Sequence, residues 1–259
     1  MQKRAILLLT LILLAVFMVQ PALGICPSVG VAVERIFACW DHLLEAHVID
    51  GLVDYGEIKK DREKLDDYLE FLASMDPAAM DRQEALAFYI NLYNAVSIRL
   101  IVDQYPDIGS IKDLGSWFTT PWELPVVPLE GRMVTLDHIE HEIIRPTFKD
   151  PRVHFALNCT ALSCPPLLNQ AFDPLRLDEQ LDQVTRTFLN DPARTWLTGD
   201  TLHLSRIFKW FAEDFADPVA FVRGYAEGEF KARLAALGDT IKVRYQEYDW
   251  SLNDQSARP

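Results

Sequence analysis

Apolar residues recur at helical spacing along most of the chain and at strand spacing in only a few short places. Val33, Ile36, Phe37, Trp40, Leu43 and Leu44 form one stripe, so residues 31–48 are expected as an amphipathic helix with His42 and His47 on its wetter side. Leu65, Tyr68, Leu69 and Leu72 predict a second helix over 61–74, broken by Met75-Asp76-Pro77. Residues 82–104 are apolar nearly all round, the pattern of a central buried helix. Pro106 ends it. Residues 106–134 are rich in proline and glycine and read as a long loop closing in a hairpin at Glu130-Gly131. Asp137 with Glu140 three residues on predicts a capping box. The helix it opens faces Ile139, Ile143 and Ile144 inward and stops at Pro146, with His138 and His141 as surface or cap residues.

Residues 152–158 alternate. Val153, Phe155 and Leu157 fall on one side and His154, Ala156 and Asn158 on the other, which predicts a buried strand ending near Cys159, before Pro165-Pro166. Further helices are expected over 178–189, 206–215 (capped by Ser205), 219–225 (opened by Pro218) and 229–237, with short strands at 201–204 and 241–245. The fold class is therefore α+β: one mostly helical domain with a small β-sheet. Residues 25–79 form an N-terminal helical segment, compact with a core of residues 80–253, and 254–259 a tail.

The first 24 residues are set apart by a basic start, Lys3-Arg4, an apolar run over 5–19 and Ala22-Leu23-Gly24. This is the pattern of a cleaved signal peptide, the alternative being an uncleaved anchor for which the run is short. The protein is thus expected to be secreted or periplasmic, touching a membrane only through an uncleaved signal segment. Losing Lys3 and Arg4 and no acids takes the net charge from −13 to −15. Such a charge argues against nucleic acid as a partner. In an oxidising compartment Cys26, Cys39, Cys159 and Cys164 are expected to pair, and Cys26–Cys39 with Cys159–Cys164 is the most local of three connectivities. No CxxC pair and no HExxH motif occurs, so neither a metal nor another cofactor is expected.

The candidate chemistry centres on Cys159. A thiol nucleophile needs a base and a group to hold the base. His154 and Glu84 are the candidates for these roles, with backbone N–H groups near Thr160 and the amides of Asn158 or Asn94 as oxyanion donors. His154 and Cys159 are an odd number of positions apart, so on a regular strand they point to opposite faces. The pair needs a sharp turn after Leu157 or Asn158; without it His141 is the better base. Asn91 and Asn94 on the central helix either pin neighbouring backbone or look into a cleft. Trp117, Phe118 and Trp122 in the long loop form either the wall of a binding site or a satellite cluster. Against catalysis stands a Cys159–Cys164 disulfide bracing a non-catalytic peptide- or glycan-binding or scaffold domain.

Six stretches together resemble the family catalogued as domain of unknown function 547. They are Ala-Phe-Tyr-Ile-Asn-Leu-Tyr-Asn-Ala at 87–95, Leu-Asp-His-Ile-Glu-His at 136–141 and Asp-Pro-Arg-Val-His-Phe-Ala-Leu-Asn-Cys at 150–159. Ser-Cys-Pro-Pro-Leu at 163–167, Leu-Ser-Arg-Ile-Phe-Lys-Trp at 204–210 and Tyr-Asp-Trp-Ser-Leu-Asn at 248–253 complete the set. The resemblance implies a thiol-hydrolase reading, with Cys159, His154 and Glu84 as a triad like that of papain- or transglutaminase-type enzymes in rearranged chain order. Its substrate would be a peptide, an amide or another small envelope-derived molecule.

Overall fold

The computed structural model describes residues 33–129 and 131–257; the expectations for residues 1–24 and for Cys26 lie outside them. Helix α1 (Val33–His47) leads through the small hairpin β1 (Val48–Ile49) and β2 (Leu52–Val53) into α2 (Tyr55–Lys60) and α3 (Arg62–Ser74). Gly51 turns the hairpin with φ +78°, and a Cβ there would lie 2.4 Å from Pro166 Cβ, so only glycine lets the hairpin sit on the Pro165-Pro166 loop. Helix α4 (Arg82–Gln104) is the centre of the molecule, buried from Leu86 to Ile98 without a break and packed against α2 and α3. It is long and apolar enough to cross a membrane by composition, but its apolar surface is covered by the protein's own core.

After a loop with two 3₁₀ turns, β3 (Val127–Leu129) and β4 (Arg132–Val134) form the expected hairpin, with Gly131 in the left-handed region. The next segment departs from expectation. His138–Ile144 is a π-helix that runs into α5 (Arg145–Phe148), so Pro146 sits in the first turn of α5 and does not end the helical run. Asp137 is already helical (φ −57°, ψ −42°) and caps nothing; Thr135 Oγ1 accepts from the His138 N–H. Glu140 is therefore released from a capping box and turned into the interior.

Residues 152–158 also depart from expectation, since Pro151–Phe155 is a 3₁₀ helix and not a strand. Asp150 Oδ1 accepts from the Arg152 N–H, Pro151 fixes the first position, and the Ala156 and Leu157 N–H groups return to Val153 O. Both sides of the alternation are covered: Val153, His154, Phe155, Ala156, Leu157 and Asn158 are all buried. The small sheet lies elsewhere. Helix α6 (Leu177–Asn190) is followed by β5 (Trp196–Thr198), β6 (Thr201–Leu204) and, after four helices, β7 (Lys242–Tyr245), in the order β5-β6-β7 with β6 and β7 parallel. The helix expected over 206–215 is two short ones, α7 (Ile207–Trp210) and α8 (Ala212–Phe215), broken at Phe211. Helices α9 (Pro218–Tyr225) and α10 (Gly228–Leu237) complete the set. Residues 254–257 are no tail. Asp254 bridges to Val53, and Gln255 Nε2 donates to His47 O and Leu52 O.

Candidate active site

The 3₁₀ turn brings His154 to a cleft of about 380 Å³ that Cys159, Cys164, Glu140, Asp137, His141 and Tyr248 also line. The chain turns at Pro151–Phe155 and not after Leu157 or Asn158, and although His154 and Cys159 line one cleft, no hydrogen bond joins the ring to the sulfur. His154 is 4% exposed, with its ring stacked on Phe211 at a centroid distance of 3.9 Å. Its Nε2–H donates to Asp214 Oδ2 at 2.7 Å, while Nδ1 has no hydrogen-bond partner and lies 3.8 Å from Glu140 Oε1. Burial pushes the imidazole down to about 4, against the opposing pull of Asp214, so the ring is neutral at pH 7. A neutral ring with Nε2 on a carboxylate carries a lone pair on Nδ1.

Asp214 comes from α8, turned toward His154 by the break at Phe211. Arg145 grips it twice, Nε to Oδ2 at 2.6 Å and Nη2 to Oδ1 at 3.2 Å. Burial raises the Asp214 carboxyl, but the hydrogen bonds from Arg145 and His154 outweigh it and hold the group below its ordinary value. Glu140, from the π-helix, is pushed up to about 7 by burial, with the Tyr93 hydrogen bond and Arg145 opposing. A buried imidazole between two acids of opposite character therefore forms one wall of the cleft.

Glu84 does not hold His154. Asp81 and Glu84 form the capping box of α4: Glu84 Oε2 accepts from the Asp81 N–H and Asp81 Oδ1 from the Glu84 N–H, both at 2.9 Å. The acid on the ring is Asp214. His141 lines the same cleft, but its Nδ1 accepts from Arg145 Nη1. Asn91 clamps Phe172 through both backbone groups, and Asn94 does the same between Ala156 O and the Asn158 N–H. The Asn158 side chain accepts from the Thr160 N–H and donates to Pro165 O. These carboxamides pin loops, and the Thr160 N–H, already engaged, is no oxyanion donor. Trp122 lines the cleft with Trp210 and Trp250, whereas Trp117 is 99% exposed at the tip of the loop.

Cys159 and Cys164 are joined by a disulfide. Cys39 carries no disulfide among the described residues. Tyr248 Oη lies 3.3 Å from Cys159 Sγ and 3.2 Å from Cys164 Sγ, and the Cys159 N–H donates to Cys164 Sγ at 3.0 Å. No group of three or more metal-ligating side chains occurs among the described residues.

The sequence singles out His154 and Cys159, which line the cleft, but not Glu140 and Tyr248 beside them or Asp214 on the His154 ring. Glu140 and His141, three and four residues after Asp137, carry the local signal for an inward-facing acid, and the same spacing predicts a capping box. Asp214 had none, because nothing local marks a contact sixty residues away. No curated protein and no solved structure gave a match to the chain. Residues 77–189, which hold α4, the π-helix, the His154 turn and the cystine loop, match the family described as "Protein of unknown function, DUF547".

Proposed function

We propose that, with the Cys159–Cys164 bridge open, the chain is a cysteine-dependent acyl-transfer or amide-hydrolysing enzyme of the cell envelope. Cys159 is the nucleophile, His154 the base and Asp214 the group that orients the base. The observation that carries this reading is the divided environment of His154: one ring nitrogen fixed on a carboxylate, the other buried without a partner, in the cleft that Cys159 lines. Asp214 selects the tautomer and offsets the positive charge once the ring is protonated. The imidazole starts uncharged. The proton leaves Cys159 Sγ for His154 Nδ1 as the sulfur attacks a carbonyl, and His154 returns it to the departing amine or alcohol. The cleft is lined by Asp137, Glu140 and four Trp and Tyr rings besides Tyr93 and by no Lys or Arg, which suits a neutral or cationic peptide or amide.

The test is alkylation of reduced protein with iodoacetamide near pH 7, read at each cysteine by peptide mapping. Cys159 is expected to react faster than free cysteine. His154→Gln and Asp214→Asn should slow it by about 100-fold and about 10-fold, the scale of a lost general base and a lost orienting group. A wild-type Cys159 that reacts no faster than free cysteine overturns the reading. A second reading, a peptide- or glycan-binding domain braced by the disulfide, is favoured by the mutual packing of Trp210, Tyr248 and Trp250 at the cleft, with Trp122 against Trp250. It predicts ligand binding that reductant leaves unchanged.

A further inference from the structure

We infer that the Cys159–Cys164 bridge is a directional thiol-exchange site: a small neutral or amine-bearing thiol adds to Cys159 and expels Cys164. This goes beyond acyl transfer, and its test reads no hydrolysis.

The loop that carries the bridge is held by contacts other than the bridge. Asn253 N–H donates to Thr160 O, Leu162 N–H to Ser251 O and Ser163 N–H to Asp249 O. Arg194 Nη1 donates to Leu162 O and, at 2.7 Å, to Cys164 O. Opening the S–S bond therefore leaves the backbone of residues 159–164 in place.

The two sulfurs are not equivalent. Cys164 is 2% exposed, whereas Cys159 is half-buried, so the accessible target of an incoming thiol is Cys159. The donors favour the same direction. Cys164 Sγ receives the Cys159 N–H and the Tyr248 hydroxyl; Cys159 Sγ has only a share of that hydroxyl. Donors aimed at a sulfur stabilise it as a thiolate and so as a leaving group. Tyr248 remains a donor throughout, because burial pushes its own ionisation well up. Asp137, with no Lys or Arg among the lining residues, disfavours thiols that carry a carboxylate.

In the exchange a thiolate attacks Cys159 Sγ, a new S–S bond forms, and the electron pair of the old bond leaves on Cys164 Sγ. The proton of the incoming thiol goes to solvent. A second thiol then displaces Cys159, giving a small-molecule disulfide and a free Cys159 thiol; otherwise Cys164 re-attacks and restores the bridge. Two equivalents of thiol are oxidised and one bridge is reduced.

The full chain is treated briefly with cysteamine as the probe, trapped with iodoacetamide, quenched in acid and mapped. Cysteamine is expected on Cys159 and the carbamidomethyl group on Cys164, with this arrangement at least about 10-fold over its reverse. Tyr248→Phe keeps the ring between Trp210 and Trp250 and loses one donor, so bridge opening should slow by about 10-fold, the scale of one hydrogen bond to a charged group. Equal or reversed labelling overturns the inference. So does a bridge that cysteamine opens only in the urea-unfolded chain, or a Tyr248→Phe variant with unchanged rate and unchanged bias.

Discussion

Glu140 and His154 share one buried space and titrate in opposite senses. The folded Glu140 carboxyl, near 7, lies above its ordinary 4.5, so its contribution to stability is fully present below pH 4.5 and lost as pH rises through 7. The folded His154 imidazole, near 4, lies below its ordinary 6.5, so its contribution is fully present above pH 6.5 and lost as pH falls through 4. Between about pH 4.5 and 6.5 the two oppose each other and flatten the wild-type profile. Glu140→Gln removes one of them. Relative to wild type, the variant is expected to lose stability as pH falls from 7.5 to 4.5, by on the order of 1–3 kcal/mol. Urea midpoints at the two pH values measure this. A difference between the proteins that stays constant with pH would show that Glu140 is an ordinary carboxylate.

Among the elements, α4 was legible to the residue and the His154 segment was not, for a physical reason. Helix α4 carries its own signals: Asp81 and Glu84 close the capping box, Tyr105-Pro106 stops the helix, and apolar residues continue between them. The segment 153–158 is buried throughout, so its alternation of Val153, Phe155 and Leu157 records no exposed face, and Asp150-Pro151 decides for a 3₁₀ turn. The π-helix was illegible for a related reason. Asp137 and Glu140 satisfy a capping-box spacing, but Thr135 supplies the hydrogen bond at the start and leaves Glu140 to the interior. The assignment of Glu84 to the cap has a consequence at this scale. Glu84→Ala is expected to cost about 1 kcal/mol of stability, the usual worth of a cap. It should leave the alkylation rate of reduced Cys159 unchanged, whereas Asp214→Asn slows it. A Glu84→Ala variant with a slowed Cys159 would return the orienting role to α4.

Across the whole molecule the cleft draws on more of the chain than the residues that match the family. Glu140, His154, Cys159 and Cys164 lie within residues 77–189, but Asp214, Trp210, Phe211, Tyr248 and Trp250 lie beyond them. The C-terminal segment joins the two. Asn253 takes the Tyr55 hydroxyl on Oδ1 at 2.6 Å, donates Nδ2 to Gly51 O, and its own N–H holds Thr160 O. One residue thus ties the N-terminal hairpin and α2 to the loop of the cystine. Asn253→Ala leaves the fully buried Tyr55 hydroxyl and the Gly51 carbonyl without these partners, a loss of about 1–3 kcal/mol for an orphaned buried group. Because Leu162 and Ser163 pair their N–H groups with Ser251 O and Asp249 O, the loosening should pass to the cystine loop. Amide hydrogen exchange is expected to quicken at Leu162 and Ser163 as well as at residues 51–55. Faster exchange confined to the hairpin, with Leu162 and Ser163 as protected as in the wild type, would mean that Asn253 anchors the N-terminal segment alone and that the cleft holds its shape without it.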